Sequence, residues 1–107
     1  MFQTMNSNYR RGRSFEYLLK KDLESQGWTV TRASGSRGCY DLIALRENEQ
    51  GEPQVALFQC KVCKTDKVNP LIKQVRKTLL FKPESFDQFL AVKITGKKQY
   101  ILYKYTE

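Results

Sequence analysis

Residues 40–61 read YDLIALRENEQGEPQVALFQCK. Two apolar runs, Tyr40–Leu45 and Gln54–Val62, flank a polar stretch from Glu47 to Pro53, and this pattern predicts a β-hairpin. Tyr40–Leu45 is apolar on both faces, as expected of a central strand. The turn centres near Gln50. Closed symmetrically about that residue, the hairpin brings Asp41 opposite Gln59. Cross-strand partners share a face, and so do residues two apart on one strand. Lys61 therefore joins Gln59, while Cys60 points away. A slip of one residue would undo the arrangement. An acid, an amide oxygen and a lysine gathered in this way suit a divalent cation beside a phosphate, with the lysine helping to activate water.

Outward from the hairpin, residues 9–26 are expected to form a helix. Phe15, Leu18, Leu19 and Leu23 fall on one face at helical spacing, and Gly27 is a natural stop. At 100° per residue, Glu16 lies about 20° beyond Leu23, at the edge of the apolar stripe. Its carboxylate is thus placed to lean over the rim of a sheet. Gly12, one turn earlier, leaves room for a close approach. Residues 28–33 (WTVTRA) alternate as a strand, and residues 34–38 (SGSRG) form a loop. Pro70 suits the first turn of a second helix, continued by Leu71, Ile72, Val75, Leu79 and Leu80 and ended at Lys82-Pro83. Two final strands, 86–94 and 99–105, flank a tight turn at 95–98. The predicted class is α/β (α+β): a mixed central β-sheet flanked by helices, in the order α-β-β-β-α-β-β. The length of 107 residues fits a single domain, with residues 1–8 as a flexible N-terminus.

The chain carries 19 Lys and Arg against 11 Asp and Glu, a net charge of +8 that suits a polyanionic partner. Arg10, Arg11 and Arg13 cluster at the first helix. Lys61, Lys64, Lys67, Lys73, Arg76, Lys77 and Lys82 face one acid, Asp66, in the same stretch. Glu47, Glu49 and Glu52 reverse the sign in the hairpin turn. This distribution favours a nucleic-acid face and an opposite, repelled one. No histidine is present, which removes His-based acid–base catalysis and makes a zinc site a poor fit. Cys39, Cys60 and Cys63 are an odd set of thiols with no export signal before them. The CxxC at Cys60–Cys63 falls in a strand, away from the helix N-terminus that redox use requires, and reads as ordinary thiols. With no apolar run long enough to span a membrane, the protein is expected to be soluble and cytoplasmic. Tyr100, Tyr103 and Tyr105 could stack on unpaired bases, but on a terminal strand they read rather as sheet packing or a dimer surface.

Taken in order, Tyr9-Arg10-Arg11-Gly12 with Glu16, then residues 30–36 (VTRASGS), Asp41-Leu42-Ile43-Ala44 and Gln59-Cys60-Lys61-Val62 resemble the PD-(D/E)xK nucleases. Within that superfamily they are similar to the archaeal-type Holliday junction resolvases. The resemblance implies a Mg²⁺-dependent endonuclease, with Mn²⁺ as a substitute, that acts as a homodimer on branched DNA, four-way junctions above all. It implies that Asp41 and Gln59 ligate the metal and that Glu16 contributes directly or through water. Lys61 would orient or deprotonate the attacking water, and Arg32 and Ser36 would touch the scissile phosphate. The expected DNA-facing set is Arg10, Arg11, Arg13, Arg32, Ser34, Ser36, Arg37, Lys64 and Lys67. Three positions depart from the family pattern. Gln59 stands where an acid is usual, Tyr17 where a basic residue often follows the helix acid, and Tyr40 where the superfamily's name has proline. The neutral Gln59 should weaken metal binding. Two alternatives remain open: a repair or restriction-like endonuclease of the same fold, and a catalytically weakened DNA-binding module.

Overall fold

The computed structural model describes residues 7–33 and 39–106, with side chains from Gly12 onward. Helix α1 (Ser7–Ser25) precedes strands β1 (Thr29–Arg32), β2 (Leu42–Glu47) and β3 (Pro53–Cys63). Helix α2 (Asn69–Arg76) and strands β4 (Asp87–Ile94) and β5 (Tyr100–Lys104) follow. These strands form one sheet in the order β1-β2-β3-β4-β5. All neighbours are antiparallel except β3 and β4, which are parallel and therefore need the crossover that α2 supplies.

The helices cover opposite faces. Phe15, Leu19 and Leu23 of α1 pack on Val30, Leu42, Ala44, Ala56, Phe58 and Ala91. Leu71, Ile72 and Val75 of α2 pack on Leu90, Val92 and Tyr105. Strand alternation does the sorting, because Phe58 and Cys60 turn toward α1 while Leu90 and Val92 turn toward α2. The central strand is β3, not β2: Ala56 to Gln59 are buried in succession, whereas Leu45 near the end of β2 is 47% exposed. The β2–β3 register is the symmetric one, running from Leu42↔Phe58 to Glu47↔Pro53. Asn48 shapes the tip by accepting the N–H groups of Gln50 and Glu52, and Gly51 supplies the positive φ of 76°.

Three expectations need correction. Helix α1 begins at Ser7, inside the stretch expected to be a flexible terminus, whose residues 1–6 lie outside the described residues. Leu18 is not core; it is exposed and lines a groove of about 330 Å³ with Val62 and Thr95. The second helix stops at Arg76, well short of Lys82, and leaves Leu80 63% exposed. Thr78 is the cause, since its hydroxyl and its N–H both turn back to the carbonyl of Val75. A side chain that offers the backbone such a local alternative competes with helix continuation.

Candidate active site

β3 outruns β2. Its pairing with β2 ends at Phe58, while its pairing with β4 continues to Cys63. The two strands thus part like a fork, and Asp41 sits in the crotch. Its N–H donates to Phe58 O (2.8 Å), its carbonyl accepts from Ala33 N–H (2.8 Å), and its Oδ2 accepts the Cys60 N–H (2.7 Å). The carboxylate takes the place of the missing ladder carbonyl, which immobilises it and satisfies a half-buried donor.

Glu16 reaches the same region from α1. Arg32, at the end of β1, donates from Nε and Nη2 to one oxygen, Oε1, at 3.2 Å each. The pair is well shielded, with side-chain exposures of 17% for Arg32 and 19% for Glu16. Arg32 Nη1 also donates to the Tyr17 hydroxyl at 3.1 Å. Despite Arg32, burial and repulsion from Asp41 push the Glu16 carboxyl above the usual carboxylate range. Asp41 is raised as well: burial outweighs the Cys60 N–H and the charges of Lys61 and Arg32. Two partly desolvated carboxylates therefore repel each other, and a cation between them would relieve both. Among the described residues no hydrogen bond falls on Glu16 Oε2 or Asp41 Oδ1, so each acid keeps an oxygen to offer.

Gln59 comes from the other face. It alternates with Cys60, which packs toward α1, and it is buried at 8% exposure with its amide 3.5 Å from the Thr78 hydroxyl. That hydroxyl has one proton and donates it to Val75 O at 2.7 Å. The Gln59 contact is accordingly weak. Lys61, on the same face as Gln59, is exposed, and its charge is felt at Asp41. Asp41 is where the two faces meet, with Glu16 and Arg32 on one side and Gln59 and Lys61 on the other. Among the described residues no group of three His, Cys, Asp or Glu is placed to hold a metal ion. The donor set is two carboxylates and an amide, all oxygen.

A further group went unread in the sequence. Gln88 is fully buried and accepts a hydrogen bond from the Tyr40 hydroxyl. Its amide donates to the carbonyls of Phe81 and Lys82 (3.1 Å each), while Leu80 N–H donates to the Tyr40 oxygen (3.2 Å). Phe81 stacks on Tyr40 at 6.3 Å. This lock ties the chain after α2 to the residue next to Asp41. The only signal for it in sequence is one glutamine inside the apolar strand DQFLAVKI.

The expected DNA-facing residues divide as follows. Arg13 is exposed on α1, and Lys64 and Lys67 are exposed just beyond β3. Arg32 is drawn onto Glu16. The side chains of Arg10 and Arg11, and all of Ser34, Ser36 and Arg37, lie outside the described residues. Among the described residues a Cβ at Gly12 would meet no protein atom within 4 Å, so none of them demands glycine there. Cys39, Cys60 and Cys63 are free thiols. No helix of the described residues is long and apolar enough to cross a membrane.

Three comparisons bear on this arrangement. The family model for archaeal Holliday junction resolvase (Hjc) matches residues 7–106. The crossover junction endodeoxyribonuclease Hjc of Methanocaldococcus jannaschii is 37% identical over 99 residues, covering 91% of this chain and 69% of that protein. The structure of Archaeoglobus fulgidus Hjc, a Holliday junction resolvase, superposes with a TM-score of 0.53 over 87% of this chain and 76% of that one. At 20% identity this last match speaks for the fold: a mixed sheet between helices.

Proposed function

Because the chain belongs to the archaeal Holliday junction resolvase family, we propose that it is an endonuclease that hydrolyses phosphodiesters at four-way DNA junctions. The observation that carries the mechanism is the fork, in which Asp41 is pinned by the Cys60 N–H between Glu16 and Lys61. Two carboxylates with raised pKa values fit Mg²⁺, with Mn²⁺ as a substitute. Mg²⁺ binds through one or two acids and takes its remaining ligands from water and phosphate. Glu16 Oε2 and Asp41 Oδ1 are the oxygens that would hold it, with the Gln59 amide as a neutral third donor. When bound, the metal acts as a Lewis acid and lowers the pKa of water. Lys61 Nζ orients the attacking water and offsets the charge that develops on phosphorus. Arg32 turns the remainder of its planar fork to the phosphate. Arg10, Arg11, Arg13, Lys64 and Lys67 hold backbone and read junction shape, together with the loop that carries Ser34, Ser36 and Arg37. A homodimer places two such sites for paired cuts, in the cytoplasm where the DNA is.

The test is to incubate the protein with a labelled four-way junction, a linear duplex and a single strand, in Mg²⁺ or EDTA. Paired symmetric nicks confined to the junction in Mg²⁺ are expected. Equal cutting of every substrate would overturn junction selectivity. Binding without cutting, even in Mn²⁺, would favour the second reading that Gln59 prompts, a DNA-binding module that has lost metal affinity.

A further inference from the structure

Tyr17 gathers two arginines. The Arg32 guanidinium lies 4.6 Å from the ring centroid and the Arg13 guanidinium 5.8 Å from it. Arg13 comes from one turn earlier on α1, and Arg32 from β1 across the gap between helix and sheet.

A purely structural ring would be buried, yet Tyr17 is 47% exposed. Helix α1 is already seated on the sheet by Phe15, Leu19 and Leu23. The Glu16 carboxylate offsets part of both charges, and two guanidiniums on one surface ring gain further when a second anion joins them from solvent. The Arg32 contacts leave room for one. Among the described residues three of its five N–H groups are engaged, two by Glu16 and one by Tyr17.

We infer that Tyr17 is a positioning residue that presents Arg13 and Arg32 side by side as a phosphate clamp at the mouth of the site. The clamp rests on the nuclease reading above and adds to it which side chain aims the cations. The hydroxyl steadies Arg32, and the ring face carries both guanidiniums. Without the ring, Arg32 keeps Glu16 but loses the hydroxyl and the ring face, and Arg13 loses the ring face that sets it beside Arg32.

The test measures junction binding in EDTA across a salt series, junction cleavage in Mg²⁺ and thermal melting for the wild type, Tyr17→Ala and Tyr17→Phe. Tyr17→Ala is expected to weaken binding roughly tenfold and to flatten the salt slope by about one. Its KM should rise more than its kcat falls, with unchanged melting. Tyr17→Phe keeps the ring and should bind within about twofold of wild type. Wild-type affinity, slope and KM in Tyr17→Ala would overturn the clamp, as would a loss in Tyr17→Phe as large as in Tyr17→Ala. A melting temperature that drops together with affinity would mark the ring as structural and also overturn it. Failure of the wild type itself to bind and cut junctions would instead sink the nuclease reading.

Discussion

The two sides of the fork are built from different materials. On the α1 side stand Glu16, Arg32 and Asp41, all ionisable, partly exposed and held by one another. On the α2 side, apart from the exposed Lys61, stand Tyr40, Gln88 and Gln59, neutral and buried, with Tyr40 and Gln88 hydrogen-bonded to the backbone and the exposed Thr78 beside Gln59. Buried neutral groups with partners cost little, whereas buried charges cost much unless compensated. The contrast separates two jobs: the neutral side sets geometry, and the charged side retains unmet electrostatic demand for a ligand to satisfy.

The strongest way to break that contrast is to neutralise the charges that meet at the fork, Asp41 and, from the face it shares with Gln59, Lys61. Asp41→Asn and Lys61→Ala should each lower cleavage on the order of a thousandfold, while junction binding in EDTA stays near wild type. Loss of folding or of all binding in both would count against a catalytic role. Asp41→Asn should also melt a few degrees higher at neutral pH, because asparagine keeps an oxygen for the Cys60 N–H and ends the repulsion with Glu16. The sign follows from the raised pKa. An acid whose folded pKa is raised destabilises the fold where it is charged, above that pKa, and the cost disappears below its unfolded pKa. The mutant's advantage should therefore shrink as pH falls through the carboxylate range. A mutant that melts lower at pH 7 would contradict this account.

Breaking the neutral side should act on stability first. Gln88→Leu leaves the Tyr40 hydroxyl and the carbonyls of Phe81 and Lys82 short of a partner. It should cost about 2–3 kcal/mol in denaturant unfolding, with a smaller loss of cleavage per folded molecule than Asp41→Asn. The mildest change sharpens the comparison by giving the neutral side a charge. Gln59→Glu should lower the Mg²⁺ needed for half-maximal cleavage by roughly tenfold. Unchanged metal dependence would show that position 59 is no ligand and that the α1 side holds the metal by itself.

The hairpin register was legible because a short polar turn between two apolar runs leaves few ways to close, and the symmetric one occurs. Glu16 was legible as a rim residue because helical rotation needs only spacing; it is neither core nor fully exposed. Its union with Arg32 was not. Spacing placed each residue on its own element, but α1 and β1 meet through packing that no local pattern encodes. Arg32 was assigned to phosphate and Glu16 to metal, and here they hold each other. The early end of α2 was hidden for a related reason, because Leu79 and Leu80 keep the helical period while a single hydroxyl at Thr78 decides the backbone's path. Gln88 escaped because an amide inside an apolar strand looks like a lapse in the pattern until its partners, from Tyr40 to Lys82, are brought around it.

The acidic hairpin tip has a consequence for how the molecule travels. Glu47, Glu49 and Glu52 surround one end of β3, while Lys61, Lys64 and Lys67 lie at or beyond the other. At about 3.3 Å per residue, the eleven residues of that strand set the two groups roughly 35 Å apart. The strand thus carries an acidic end and a basic end. Near a polyanion such an arrangement feels a torque as well as a pull, and the molecule swings round before contact, so a larger share of encounters arrive with the fork leading. Raising the ionic strength screens this torque, shortening its reach toward the roughly 10 Å Debye length of 0.1 M salt.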